Sequence, residues 1–157
     1  MIIYYTFKNK TKIFAEALGT VLNKPLYELK CDLNKKSNFW FMFHAFLACF
    51  TRNNIPVTNM PSDIVNTESS IFVCSPIWGG EIAAPVKYFL QNANLKGVTV
   101  NLLLTASIPT GKHKLKAIDF LNKLSCNTGE VYMFATSSKL EIETDVVKEH
   151  LQEMMDV

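Results

Sequence analysis

Three short stretches carry residues that could grip a flat, charged ligand. The first, "TFKNKT" at 6–11, joins a β-rich run to a segment with helical spacing. The first N–H groups of such a helix lack intrahelical partners and sit at the positive end of its dipole, which suits an anion and phosphate above all. Thr6 and Thr11 add hydroxyl donors, Lys8 and Lys10 add cations, and Phe7 and Asn9 complete the loop. The plainer reading makes Thr11 an N-cap and the lysines solvated. The second stretch, "SPIWGG" at 75–80, follows a nearly continuous apolar run. Pro76 and Ile77 lead to Trp78, which offers a broad face for stacking. Gly79 and Gly80 have no Cβ, so their N–H groups can approach a planar heterocycle closely. The plainer reading makes Trp78 a packing residue and the glycines a turn. The third, "TASIPTGKH" at 105–113, supplies Thr105, Ala106 and Ser107. No residue is nominated as an acid or a base. His113 is nearer to these loops than His44, and a lone histidine is more often hydrogen-bonded packing than a catalytic group.

The elements that must position these loops are legible from periodicity. Ile2–Tyr5, Leu26–Leu29, Ile71–Cys74, Val98–Leu104 and Glu130–Thr136 read as strands. Ile13, Phe14, Ala17, Leu18, Val21 and Leu22 recur at three- and four-residue spacing, a helix beginning at Thr11 and ending before Pro25. Ala84–Gln91, Leu115–Leu124 and Thr144–Met155 read as further helices, with Pro85 tolerated in the first turn of its own. Asn127-Thr128-Gly129 reads as a turn. Alternation of this kind implies parallel strands, right-handed crossovers and helices on both faces. Ligands of such sheets bind beyond the carboxyl ends of the strands, where all three stretches fall.

With those residues in place, the chain resembles the flavodoxin family, including its short-chain and NAD(P)H-quinone-reductase-like relatives. The resemblance rests on "IIYYTFKNKTKIFAEAL", "IFVCSPIWGGEIAAPVKYFL" and "LKGVTVNLLLTA" and leaves out roughly residues 32–61. It implies an α/β, flavodoxin-like three-layer α/β/α sandwich with a five-stranded parallel sheet of order 2-1-3-4-5. It also implies FMN held noncovalently, with its phosphate in the first loop near Thr6 and Thr11. The ring system would lie against Trp78, Gly79 and Gly80, flanked by Thr105, Ala106 and Ser107. Lys8 and Asn9 depart from the family's first loop, where threonine and glycine are usual. Asn tolerates a left-handed backbone better than most residues, so Asn9 can stand in for the glycine. Lys8 can neutralise a phosphate. The activity implied is electron transfer to a redox partner protein, or NAD(P)H-dependent reduction of a quinone or similar acceptor. The alternative is a domain of this fold that has lost FMN and serves as an interaction module, or that binds another phosphate-bearing ligand.

The bulk composition fits one domain spanning residues 1–157. Hydrophobic residues make up 48% and charged residues 19% of 157 residues, a globular balance. A net charge of +2 and a single arginine, Arg52, give no footprint for nucleic acid. Flavodoxin carriers are generally acidic, so this charge is a further departure. Cys31, Cys49, Cys74 and Cys126 form no C-x-x-C pair, which favours free thiols in a reducing cytoplasm. No signal peptide or membrane span is expected. The stretch "SNFWFMFHAFLACF" at 37–50 is the odd segment. Phe39, Phe43, Phe46 and Phe50 keep helical spacing. A helix apolar nearly all round is buried or lies at an interface, so a core helix is expected first, and a homodimer interface or flavin lid second.

Overall fold

The computed structural model describes residues 1–32, 55–61, 65, 67–136, 148–149 and 151–153. The aromatic segment 37–50, with His44 and Cys49, lies outside them. Chain order begins β1 (Ile2–Tyr4), α1 (Lys10–Leu22), β2 (Leu26–Glu28), β3 (Ser70–Trp78) and β4 (Glu81–Ile82). It continues α2 (Ala84–Asn92), β5 (Thr99–Ala106), α3 (Gly111–Leu121) and β6 (Asn127–Ala135). Of the expected closing helix, residues 148–149 and 151–153 are described and helical.

Five strands run parallel in the order β2-β1-β3-β5-β6, and β4 pairs antiparallel with the end of β3. With β4 set aside, this is the expected 2-1-3-4-5 sheet. The central strands are apolar on both faces because both faces are covered. Successive residues go to opposite sides. Ile3, Tyr5, Val73, Leu102, Leu104 and Val131 pack with Val86, Phe89 and Leu90 of α2 and Ala117 and Leu121 of α3. Ile2, Tyr4, Cys74, Leu103 and Phe134 pack with Phe14, Ala17 and Leu18 of α1 and with Leu151.

Several boundaries differ from the sequence reading. β3 does not stop at Cys74 but runs on to Trp78. β1 pairs with β3 only as far as Cys74, and Pro76 meets Ala83 instead, whose N–H donates to the Pro76 carbonyl at 3.1 Å while its own carbonyl accepts from Val86 and Lys87 of α2, so the N–H that proline lacks is not needed there. Beyond Trp78 the chain turns back at once, with Trp78 paired to Glu81 and Ile77 to Ile82. Gly79 and Gly80 have φ of 56° and 82°, the two positive values that a two-residue hairpin turn of this hand requires. The expected loop 75–82 is therefore a β-hairpin. α3 starts at Gly111, a full turn before Leu115. Residues 127–129 belong to β6, not to a turn. Gly129 lies in an irregularity of that strand, where a Cβ would come within 2.3 Å of the Asn101 amide oxygen. That oxygen accepts the Glu130 N–H at 3.0 Å.

Candidate functional site

All three loops leave the carboxyl edge of the sheet. β1 is flanked by β2 and β3, and the chain leaves β1 toward one face (α1) and β3 toward the other (α2). The crevice between those departures is the switch point of the sheet.

The first loop is built by its backbone. Asn9 caps α1 with φ 57° and ψ 0°, the left-handed conformation expected of it. Its side chain makes no capping hydrogen bond, and no acidic residue lies in the first turn. The amides of that turn keep their capacity to bind an anion. The Thr6 hydroxyl is buried beside this turn and has no hydrogen-bond partner among the described residues. Burying a hydroxyl unpaired costs about 1–3 kcal/mol, so such a group asks for a ligand or water. Lys10 is anchored, its Nζ donating to the Thr136 carbonyl at 3.3 Å beyond the end of β6. Lys8 is exposed at the rim, and Phe7 packs partly against the core.

Thr11 and Thr105 are brought together. Their hydroxyls lie 2.9 Å apart, and the residues are 2% and 3% exposed. The pair ties the start of α1 to the end of β5. Thr11 is thus not a side-chain N-cap: that position belongs to Asn9. Ala106 is buried and Ser107 is exposed.

The hairpin presents the second loop. Trp78 is half-buried, its ring meeting that of Tyr5 edge-on at 5.5 Å and 83°. Tyr5 is fully buried, and its phenol is pushed up by desolvation, with a further contribution from Cys31, whose thiol donates to it at 3.8 Å. The hairpin base is stapled by Ser75, whose hydroxyl accepts the Ala83 N–H at 3.2 Å and donates to the Pro76 carbonyl at 2.9 Å.

Sequence reasoning missed the residues that hold this hairpin. The Glu81 carboxylate accepts from Lys87 at 2.5 Å and from Lys116 at 3.1 Å, joining β4 to α2 and α3. The hydrogen bond from Lys87, supported by Lys116 and opposed by partial desolvation, holds Glu81 below the usual carboxylate range. A Cβ on Gly80 would lie 3.7 Å from Lys116 Nζ and 3.8 Å from His113 Nε2. The hairpin tip therefore rests on the first turns of α3. The available signal was the Gly-Gly pair between β-formers, a hairpin mark that places Glu81 opposite Trp78.

Among the described residues, no group of three His, Cys, Asp or Glu could hold a metal ion. No helix among them is long and apolar enough to cross a membrane. Cys31, Cys74 and Cys126 are free thiols, and burial raises the pKa of Cys74 and Cys126.

This strand order, with helices on both faces and three loops gathered at one edge, is a flavodoxin-like fold. Solved structures carry the same architecture. A protein assigned as a flavoprotein from Bacteroides uniformis superposes with a TM-score of 0.75 at 14% identity, covering 97% of this chain and 96% of the other. A flavoprotein from Lactobacillus acidophilus, solved in complex with FMN, gives 0.67 at 21% identity over 84% and 90% of the two chains. The two-electron-reduced flavodoxin of Megasphaera elsdenii gives 0.55 at 13% identity over 98% and 99%. No protein-family model and no curated protein matches the sequence.

Proposed function

We propose that this protein binds FMN at the carboxyl edge of its sheet and works as a redox protein. The observation that carries the reading is the phosphate-suited first loop, where the N-terminus of α1 lacks a side-chain cap and the buried Thr6 hydroxyl beside it has no partner among the described residues. The donor set fits the group. Thr6, the first-turn amides of α1 and Lys8 would hold the phosphate, and Trp78 with the amides of Gly79 and Gly80 would receive the ring system. Thr105, Ala106 and Ser107 flank it, with Thr105 acting through Thr11. The FMN complex of the Lactobacillus acidophilus protein, which shares the fold, supports the assignment. Bound FMN would supply one- and two-electron redox chemistry. The chain's own groups bind, orient and desolvate, and none is required to move a proton.

Titration of the purified chain with FMN and with riboflavin tests this. Micromolar or tighter FMN binding with quenched fluorescence is expected. Lys8→Ala is expected to weaken FMN more than riboflavin, which has no phosphate. A folded protein that leaves micromolar FMN unbound would refute the reading. Consumption of NAD(P)H with a quinone then separates a self-sufficient reductase from a carrier that needs a partner.

A further inference from the structure

The start of α3 is charged against its own dipole. Helix N-termini favour acidic residues, since the aligned peptide dipoles leave partial positive charge there. α3 has none in its first turn and places Lys112 and Lys114 there or just beyond, with Lys116 following. Lys112 and Lys114 are exposed, and neither has an ion-pair partner among the described residues. Lys116 is half-committed to Glu81, and the single acid of the helix, Asp119, stands further along.

Two apolar side chains stand among these cations. Ile108 in the preceding loop is 77% exposed and Leu115 in the helix is 63% exposed. Apart from Leu26, they are the large hydrophobic residues left exposed among the described residues. Lys112 and Leu115 lie one helical turn apart, and exposed apolar side chains accompanied by charge of one sign are the composition of a protein-binding surface. The patch also adjoins the hairpin, because Lys116 and His113 approach Gly80 within 3.7 and 3.8 Å of where its Cβ would be.

We infer that Ile108, Lys112, Lys114 and Leu115 form a docking surface for an acidic partner protein that exchanges electrons at the Trp78 edge. Charge complementarity fixes the partner's sign. The cations steer it in, and the two apolar side chains are buried on contact. The electron-exchange part rests on the FMN reading; the docking surface does not.

The test uses the full chain and two protein probes of similar size, an acidic plant-type [2Fe–2S] ferredoxin and basic cytochrome c. Binding is measured with and without added FMN at low and high salt. The ferredoxin is expected to bind at least about tenfold tighter than cytochrome c at low salt and to lose that advantage at high salt. Lys112→Glu with Lys114→Glu is expected to reverse the preference. Ile108→Ser with Leu115→Ser is expected to weaken ferredoxin binding about tenfold at either salt. All four positions are exposed, so the variants keep their fold, which circular dichroism checks. Equal binding of the two probes, or ferredoxin binding indifferent to both variants, overturns the inference. Failure to take up FMN with ferredoxin binding intact would instead sink the redox reading and leave the surface standing.

Discussion

The Thr11–Thr105 hydroxyl pair gives the sharpest test of how the first loop is held. Thr105→Val removes one hydroxyl and nearly keeps the volume. The Thr11 hydroxyl then remains in a position 2% exposed with its 2.9 Å partner gone. Stranding a buried hydroxyl costs about 1–3 kcal/mol, whereas replacing both partners by apolar groups of like shape is close to neutral. For a domain of this length about 1 kcal/mol moves Tm by about 2–4 °C, so Thr105→Val is expected to lower Tm by about 2–12 °C. Thr11→Val should do the same, and the double variant should recover most of the loss. Urea unfolding of the four chains gives the coupling energy directly, expected to approach the sum of the two single losses, about 2 kcal/mol or more. FMN titration of the same chains adds a functional reading. If Thr105 donates to Thr11, the Thr11 proton is free for a phosphate oxygen, and Thr105→Val should weaken FMN by several-fold even where the fold persists. A double variant destabilised by the full sum of the singles would refute the pairing.

The carboxylate clamp on the hairpin has a defined pH signature. The folded pKa of Glu81 is depressed, so its stabilisation is present above the unfolded value near 4.5 and is lost as pH falls through the folded value. With its side chain 37% exposed, solvent screening leaves about 0.5–1 kcal/mol. The stability gap between wild type and Glu81→Gln in urea should be that size at pH 7 and narrow as pH falls below about 4.5. At Asn9, φ 57° implies that Asn9→Ala costs about 1–2 kcal/mol and Asn9→Gly almost nothing, readable by thermal melting. Trp78→Ala should weaken FMN by up to about tenfold and restore flavin fluorescence, with far-UV circular dichroism unchanged. Lys112→Glu places an acid where the dipole of α3 favours one, so it should raise stability by about 0.3–1 kcal/mol in urea while weakening the acidic probe.

The strands that form the sheet were legible because burial on both faces leaves a near-continuous apolar run, as in Ile71–Cys74 and Leu102–Leu104. The first loop was legible because helical spacing begins abruptly after Asn9, and Asn is a residue that accepts the left-handed turn found there. The second was read as an irregular loop because Ser75-Pro76 looks like punctuation. Periodicity cannot report that β1 stops pairing at Cys74 and leaves Pro76 opposite Ala83, whose carbonyl is already used by α2. Glu81, Lys87 and Lys116 were invisible for a different reason. They come from β4, α2 and α3, and only the docked hairpin brings them within reach. Thr11 and Thr105 are 94 residues apart in sequence. Thr11 is picked out for its hydroxyl and Thr105 for its place in the third loop, and neither can be seen from the sequence to hold the other.

The start of α3 was missed through a rule that holds for stability. Sequence reading expects a cap and then acids at a helix start, and "TGKHK" offers Thr110 as the cap but cations where acids are expected. α1 repeats the pattern, with Lys8 just before its cap, Lys10 and Lys12 within it, and no acid in its first turn. Both helices begin at the same edge of the sheet, so the unfavourable charges are concentrated there. A fold selected for stability alone would have exchanged some of them, since a single substitution suffices. On the FMN reading the first loop would account for them in α1, because a phosphate seated on the helix N-terminus would reverse the sign of the local field. In α3 no phosphate loop is present, and the exposed Ile108 and Leu115 stand beside the cations instead. Under the two readings proposed above, the same electrostatic departure would have two causes on the two faces: a small anion bound within the edge at α1, and a large acidic surface received from outside at α3.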